Sequence, residues 1–392
     1  MKKPPHLKPA PLKPVHFAYA LALFFFTNLA AGRVMLSLYA LHLGASPLDV
    51  GLILGLFYVF PVLLSWPVGR LVDRFGARWI LMGAAVLAAL ALLVPYFIAS
   101  LGALYVSSML QGLALAFYNV TLQSLTGTLT RPEERTQSFA NLSLIGSLSN
   151  AGGPALTGWA MDHSGPALAS LFLIAFPLMA IALLVVWGGR LPAGAGKAAA
   201  RTRILDALTE PGVWRMLTVS GLVQLAMDLF QFFIPVYGHS IALSNSAIGI
   251  AVSAFAAASF VVRTALPRMV RRFSEARVLE VSFYIACLGY LLVPLCTSEL
   301  ALVLASFLFG LGIGSSAPLT MAMIYSSSKG GRASEALGLR LTTNNVIRVI
   351  GPSLFGLVAS GFGLAAMFVV AAVTMGSGAM VIRPKHGRSS RK

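Results

Sequence analysis

Residues 79–99 read Trp-Ile-Leu-Met-Gly-Ala-Ala-Val-Leu-Ala-Ala-Leu-Ala-Leu-Leu-Val-Pro-Tyr-Phe-Ile-Ala, a continuous apolar stretch without a charged side chain. About 20 such residues form a helix that crosses the roughly 30 Å hydrocarbon core of a bilayer. Similar stretches recur along the 392-residue chain, in which 57% of the residues are apolar and only 10% are charged. A soluble domain carries about 25% charged residues, so the composition excludes an ordinary soluble protein. The alternating strands of membrane β-barrels are not found, and the sequence predicts an all-α polytopic membrane protein.

Twelve transmembrane spans are predicted from these stretches. They cover residues 16–43, 48–70, 78–99, 102–127, 137–161, 166–188, 214–242, 246–268, 277–297, 299–326, 335–360 and 363–382. Because twelve is even, both termini lie on one side, and the Lys and Arg residues of the loops and tails fall on that side, whereas the six opposite loops carry none. The positive-inside rule therefore predicts cytoplasmic termini in the cytoplasmic (inner) membrane. The net charge of +17 then reflects topology rather than nucleic-acid binding.

The spans divide the chain into two halves that repeat each other. We expect a cytoplasmic N-terminal tail (1–15), a six-span half (16–188), a central cytoplasmic loop (189–213), a second six-span half (214–382) and a basic cytoplasmic tail (383–392). A constant shift of 198 positions places Gly51 on Gly249, Gly112 on Gly310, Gly153-Pro154 on Gly351-Pro352, and Gly158 on Gly356. Six spans per repeat predict parallel copies related by an axis along the membrane normal.

Polar side chains are distributed unevenly among the spans, and every third span is nearly devoid of them. Those spans are expected at the periphery, whereas polar faces on the other helices are expected to surround a central cavity. The side chains predicted to bind substrate in this cavity are Arg33, Gln111, Asn119, Gln224, Gln231, Asn345 and Arg348.

Charged residues inside the spans are few, and each costs about 2.5–3.5 kcal/mol at the centre of a helix. Asp228 is the one acid at depth, against Arg33, Arg263 and Arg348. The excess of positive charge indicates an anionic substrate, for which Arg offers a planar set of donors. The structural alternative is that Arg263 extends to the cytoplasm and Arg348 bonds backbone carbonyls.

Asp228 is predicted to carry a coupling proton. Gln224, Asp228, Gln231 and Pro235 form one stripe at helical spacing on the seventh span. The 198-residue shift places Asp228 one turn from the position equivalent to Arg33, so Arg33 is the expected partner of the carboxylate. An Arg beside a buried carboxyl favours its charged form, so withdrawal of the Arg would favour proton uptake.

The loop after the second span reads Gly69-Arg-Leu-Val-Asp73-Arg74-Phe-Gly76-Ala-Arg78. It resembles the G-x-x-x-D-R-x-G-R-R signature of the major facilitator superfamily, with Ala77 in place of one Arg. With twelve spans and a six-plus-six repeat, the resemblance covers residues 16–382 and implies the fold of that superfamily. It also implies that the loop residues Gly69, Asp73, Arg74, Gly76 and Arg78 gate the transporter, latching its outward-facing state. The equivalent loop of the second half has Arg271 in place of Asp73, so such a latch would be asymmetric.

Two further signatures are only partly present. The Arg that proton-coupled drug exporters of the superfamily carry three residues before Gln111-Gly112 is missing, which argues against a drug antiporter. The fifth-span antiporter signature survives as a Gly-Pro element with a later Gly, and the eleventh span repeats it. These elements fit helix kinks and packing as well as they fit gating, and they comprise Gly153, Pro154, Gly158, Gly351, Pro352 and Gly356.

These features together predict a secondary active transporter of a small organic solute, favouring one with an anionic group, that works by alternating access with proton coupling. The alternatives are efflux of amphipathic drugs by proton antiport and a non-transporting membrane sensor or lipid-handling protein of the same fold. No phosphate-binding loop is present, and one buried acid without a second acid–base group argues against an enzyme. We expect no cofactor and no metal, and a monomer whose partners are substrate, protons and lipid.

Overall fold

The computed structural model describes residues 14–131, 134–191, 211–327 and 333–382, and their regular structure is entirely helical. The predicted tails and the central loop fall largely in residues 1–13, 192–210 and 383–392, outside the described residues. The first half consists of the helices Pro14–His42, Pro47–Leu56, Val59–Phe75, Ala77–Phe97, Leu101–Leu129, Arg135–Leu173 and Ala175–Trp187. The second half consists of Pro211–Ser240, Asn245–Phe273, Glu275–Leu292, Glu299–Ile313, Ser316–Ser327, Ala333–Phe362 and Leu364–Ile382.

These helices make up the twelve predicted spans. Eleven described stretches are long and apolar enough to cross a membrane, and one of them, Asn141–Trp187, is 47 residues long. Gly165 interrupts that stretch with a φ of 78°, which separates the fifth span from the sixth. Within the described residues the twelve-span, all-α prediction is therefore confirmed, and the chain is a multi-pass membrane protein.

The second and tenth spans are each broken near the middle, which the sequence analysis did not anticipate. The second span divides between Leu56 and Val59, and the tenth divides between Ile313 and Ser316. The first helical segments are capped by Phe57 and Gly314. Pro61 and Pro318 lie four residues after these cap residues. A proline lacks the N–H that would bond the carbonyl four residues earlier, so both breaks have a local cause.

The bundle has two faces, and successive loops of the chain lie on one face and the other in turn. The terminal face carries residues 14 and 382 and the turns at Gly76 and Ser274, which occupy equivalent positions and share positive φ values of 79° and 68°. The opposite face carries the loops at which the second, fourth, eighth and tenth spans begin. A serine precedes each of those four helices, and its hydroxyl accepts a hydrogen bond from the backbone N–H three residues later. Serine is a preferred N-cap residue for this reason. The four serines are Ser46, Ser100, Ser244 and Ser298.

Equivalent glycines make equivalent contacts in the two halves. A Cβ atom on Gly112 would collide with the carbonyl of Phe57, and one on Gly310 would collide with that of Phe255. The shift of 198 positions relates Gly112 to Gly310 and Phe57 to Phe255. The repeat seen in the sequence is therefore present in the packing of the fourth span on the second and of the tenth on the eighth.

At the opposite face the two halves are pressed together by further glycines. Gly51 of the second span lies against the carbonyl of Pro352, and its equivalent Gly249 lies against the carbonyl of Pro154. Gly158 contacts Asn245 in the same way. Small residues allow such close approach of helices. The predicted Gly-Pro elements thus lie in the contact between the halves, which closes the bundle at this face.

The remaining members of the Gly-Pro elements pack within or between the halves. A Cβ on Gly153 would lie 2.9 Å from the backbone N of Ala31 in the first span, and one on Gly351 would lie 2.6 Å from Leu225 in the seventh. A Cβ on Gly356 would lie 2.9 Å from the carbonyl oxygen of Pro47. The helices continue through both prolines.

Candidate substrate and proton site

A cavity of about 330 Å³ lies between the halves. Its lining residues come from the first, second, fourth, fifth, seventh, eighth, tenth and eleventh spans, so the third, sixth, ninth and twelfth are peripheral, as predicted. A second cavity of about 360 Å³ adjoins it and continues along Gln123, Leu142 and Ser143, residues nearer the terminal face. Because the opposite face is closed, the cavity is directed toward the terminal face.

Asp228 forms an ion pair with Arg348 in this cavity. Their Oδ2 and Nε atoms are 3.4 Å apart, and the carboxylate side chain is only 3% exposed. Gln224 donates a hydrogen bond of 2.9 Å to the same oxygen. Gln224 and Asp228 are one turn apart on the seventh span, so the predicted polar stripe provides both the acid and its amide partner. The alternative in which Arg348 bonds only backbone carbonyls is wrong.

In the described structure Arg33 forms no hydrogen bond or ion pair with Asp228 and acts on the carboxylate only at longer range. The expected direct pairing of these two residues is therefore corrected, because Arg348 takes that place. The Arg33 guanidinium donates to the Tyr58 hydroxyl at 3.2 Å and to the Asn150 side-chain oxygen at 2.8 Å. Asn150 and Arg348 are equivalent under the 198-residue shift. Each half thus joins its first helix to its fifth, with Arg33–Asn150 in one half and Asp228–Arg348 in the other.

Tyr58 lies between these two pairs, and sequence reasoning missed it. Its ring lies 5.0 Å below the Arg348 guanidinium, while its hydroxyl accepts from Arg33. The residue occupies the break in the second span, which turns it into the cavity. A buried tyrosine needs a partner for its hydroxyl, and Pro61, three residues later, was the available signal for the break.

Arg263 also faces the cavity, and the alternative in which it extends to the cytoplasm is wrong. Its Nε donates to the carbonyl of Gly314 at 2.9 Å, and its Nη1 donates to the Ser147 hydroxyl at 3.2 Å. The carbonyl of Gly314 is the one that Pro318 cannot bond. Arg263 therefore compensates the break in the tenth span and at the same time joins the second half to the fifth span of the first.

Five of the predicted cavity residues line the cavity and two do not. The five are Arg33, Asn119, Gln224, Gln231 and Arg348. Gln111 is 1% exposed and accepts a hydrogen bond from Asn28 at 3.2 Å, so it is a polar contact between the first and fourth spans. Asn345 is half-buried on the eleventh span and is not part of the lining. The polar residues identified the helices correctly, but they did not show which side of each helix faces the cavity.

The predicted gating loop is described only in part. Gly76 ends the second span with a φ of 79°. Arg74 is exposed and Arg78 lies over the ring of Trp79 at 5.5 Å. Gly69 and Asp73 belong to the helix Val59–Phe75, but the surroundings of Gly69 and the side chain of Asp73 lie outside the described part of the structure.

Comparison with known proteins identifies the family. The sequence profile of the Major Facilitator Superfamily matches residues 16–244 and 216–392. The chain belongs to the major facilitator superfamily. It is therefore a major facilitator superfamily transporter, and the resemblance drawn from the second-span loop is confirmed.

Several members of the superfamily are similar along most of their length. An uncharacterised MFS-type transporter, YuxJ of Bacillus subtilis (strain 168), is 26% identical over 341 residues, which cover 85% of this chain and 86% of YuxJ. The multi-drug resistance efflux pump PmrA homolog of Lactococcus lactis subsp. lactis (strain IL1403) is 23% identical and covers 86% of both chains. A POT family transporter solved in complex with 5-aminolevulinic acid superposes with a TM-score of 0.79 at 11% identity, over 94% of this chain and 95% of that one. This superposition shows the common fold.

Proposed function

We propose that this transporter moves a small organic solute carrying an anionic group across the cytoplasmic membrane by alternating access, with protons as the coupling ion. The observation that carries the proposal is the charge of the cavity, which is lined by Arg33, Arg263 and Arg348 against Asp228. Of these, Asp228 is matched by Arg348. Two cations remain in a partly desolvated space, and an anionic solute is the group that would stabilise them.

The same geometry supports a proton-coupling role for the Asp228–Arg348 pair. The ion pair is satisfied only while Arg348 stays beside the carboxylate, and Tyr58 of the other half holds the arginine from below. Separation of the halves at the opposite face would move Tyr58 away from Arg348. A buried carboxylate that loses its cation is stabilised by binding a proton, so proton uptake and release would follow the conformational cycle.

Membrane orientation belongs to the same proposal. The Lys and Arg residues of the described loop ends, such as Arg74, Arg78 and Arg271, lie at the terminal face, which favours that face as cytoplasmic. The cavity of this structure is then open toward the cytoplasm. The solute would reach the cavity from that side in this state and from the other side after the opposite face opens.

Transport by purified protein in liposomes tests the proposal. A panel of small organic anions is loaded on one side, mass spectrometry follows their movement, and a pH-sensitive dye trapped in the lumen follows protons. We expect anion movement that depends on a pH gradient. Asp228→Asn keeps the shape but cannot titrate, so it should abolish uphill transport and substrate-driven proton flux while exchange persists. Glu299→Gln, an exposed acid at the opposite face, is the matched control. Uphill transport by Asp228→Asn with an unaltered pH profile would show that the pair is only structural.

Drug efflux is the second candidate function. The similarity to a protein named as a multi-drug efflux pump favours it, as do the aromatic side chains of Phe26, Tyr58 and Phe255 in the cavity lining. Cationic amphipathic dyes in the same liposomes separate the two candidates. Dye movement without anion movement would replace the first proposal by the second.

A further inference from the structure

Two guanidinium groups from opposite halves converge on one turn of the fifth span. Arg33 of the first span donates to the side chain of Asn150 at 2.8 Å, and Arg263 of the eighth span donates to the side chain of Ser147 at 3.2 Å. Residues three apart on a helix share a face and lie about 4.5 Å apart along its axis. The two cations are therefore held side by side against the same wall of the cavity.

Among the residues that the structure describes, the hydrogen-bond partners of these two arginines are neutral. Arg33 bonds Tyr58 and Asn150, and Arg263 bonds Ser147 and the carbonyl of Gly314. Asp228, the acid among the residues that line the cavity, is bonded instead by Arg348 and Gln224. A guanidinium has five N–H donors, and in the described part of the chain each of these two uses two of them in hydrogen bonds to the protein. Two neighbouring cations with spare donors thus face the same space.

We infer that Arg33 and Arg263 together bind a dianionic group, either a phosphate monoester or two carboxylates about one helical turn apart. The inference rests on the proposed function and narrows its substrate class. A single carboxylate can engage one guanidinium bidentately, whereas a dianion can engage both and match both charges. From the sequence, Arg33 and Arg348 are the favoured anion-binding residues; the structure assigns the second anion-binding position to Arg263 because Arg348 already has a carboxylate partner.

This site would also link substrate binding to the conformational cycle. Arg33 belongs to the first half and Arg263 to the second, and Ser147 and Asn150 both belong to the first. A dianion bound by both arginines bridges the halves. When the halves rearrange and Arg263 moves away from the fifth span, the bound dianion loses one of its two cations, which favours release.

Ligand-dependent thermal unfolding of the purified full chain tests the inference. The probes are succinate and glycerol phosphate as dianions and butyrate as the monoanion that matches succinate in carbon count. All are measured at pH 7.5 and equal ionic strength because charge interactions are screened by salt. We expect the dianions to bind about tenfold or more tightly than butyrate, since the second charged contact adds at least one tenfold step. Arg33→Gln and Arg263→Gln should each remove that preference. Arg271→Gln, an exposed arginine on the same span as Arg263, should retain it.

The outcomes separate the two proposals. Equal affinity of wild-type protein for dianions and butyrate, or an intact preference in Arg263→Gln, would overturn the two-arginine site even if liposomes transport monoanions. Liposomes that transport only cations or neutral solutes would overturn the proposed function as well. If the Gln variants do not fold, Arg263→Lys is measured instead. It keeps the charge but not the forked donors, and it should weaken the preference without abolishing it.

Discussion

The two contacts that close the opposite face occupy equivalent positions in the two halves but differ in chemistry. At the end of the fifth span, Asp162 accepts three hydrogen bonds from the start of the eighth, from the backbone N–H and side-chain amide of Asn245 at 3.0 and 2.8 Å and from the N–H of Ser246 at 2.7 Å. At the end of the eleventh span, Ser360 accepts one hydrogen bond of 3.0 Å, from the N–H of Leu48 at the start of the second.

The difference has two causes in the sequence. The shift of 198 positions pairs Asp162 with Ser360, so a charged acceptor is replaced by a neutral hydroxyl. It also pairs Asn245 with Pro47, which has neither an N–H nor a side-chain amide. A carboxylate at a helix N-terminus is favourable and its hydrogen bonds are stronger than neutral ones. The Asp162 contact is therefore expected to hold the opposite face closed more strongly than the Ser360 contact. When the halves separate, we expect the Ser360 contact to break more readily.

The largest expected effect comes from a side chain placed beneath the Asp162 contact. Gly158→Ala would drive a Cβ into the backbone carbonyl of Asn245, which cannot yield as a side chain could. Overpacking of this kind costs about 1–3 kcal/mol, so the closed population should fall by roughly five- to 150-fold. Spin labels at residues 163 and 240, measured by double electron–electron resonance, should report a longer distance. An unchanged distance distribution would show that this packing does not hold the face closed.

Removal of the carboxylate is expected to have the next largest effect. Asp162→Ala leaves the N–H groups of Asn245 and Ser246 to water. A hydrogen bond to a charged group contributes about 1.5–3 kcal/mol, and less at an exposed position, so the closed population should fall by about tenfold. The same label pair measures it. Glu299→Gln removes an acid from the same face without touching the contact and should leave the distances as in the parent protein.

The fold was largely predictable because its signals are local and repeated. The apolar stretch at residues 79–99, the loop around Gly76 and the equivalence of Gly51 with Gly249 each follow from a constraint that acts at one place in the chain. Gly51 and Gly249 must be small because a carbonyl of the other half lies against each of them. A steric requirement of this kind can be recognised directly from the glycine at that position of the sequence.

The site was predictable only in part, because its pairs depend on which helices are neighbours. Asp228 and Arg348 were both identified, but the symmetry of the repeat suggested Arg33 as the partner. The structure pairs the first helix of each half with the fifth helix of that half, so Arg33 meets Asn150 and Asp228 meets Arg348. Gln111 shows the same limit, because its position on a polar helix does not reveal which neighbour its side chain faces.

Transfer of the Asp162 contact to the Ser360 position tests the same chemical difference in the opposite direction. The double variant Pro47→Asn and Ser360→Asp supplies the weaker contact with the donors and the carboxylate of the stronger one. We expect the closed population to rise several-fold, by about 1 kcal/mol, because two or three charge-assisted hydrogen bonds replace one neutral bond. Labels at residues 42 and 361 measure the distance across this contact. Ser360→Asp alone, which meets Pro47 without an N–H, is the matched control and should gain less.

The smallest effect is expected from Ser360→Ala, which removes one neutral hydrogen bond that contributes about 0.5–1 kcal/mol at an exposed position. The closed population should fall about two- to fivefold, as measured with the labels at residues 42 and 361. The Asp162 and Ser360 contacts share no residue and join different pairs of spans, so their free energies should add when Asp162→Ala and Ser360→Ala are combined. If the double variant opens no further than Asp162→Ala alone, the two contacts open as one unit. The chemical difference between them would then have no consequence for how the halves separate.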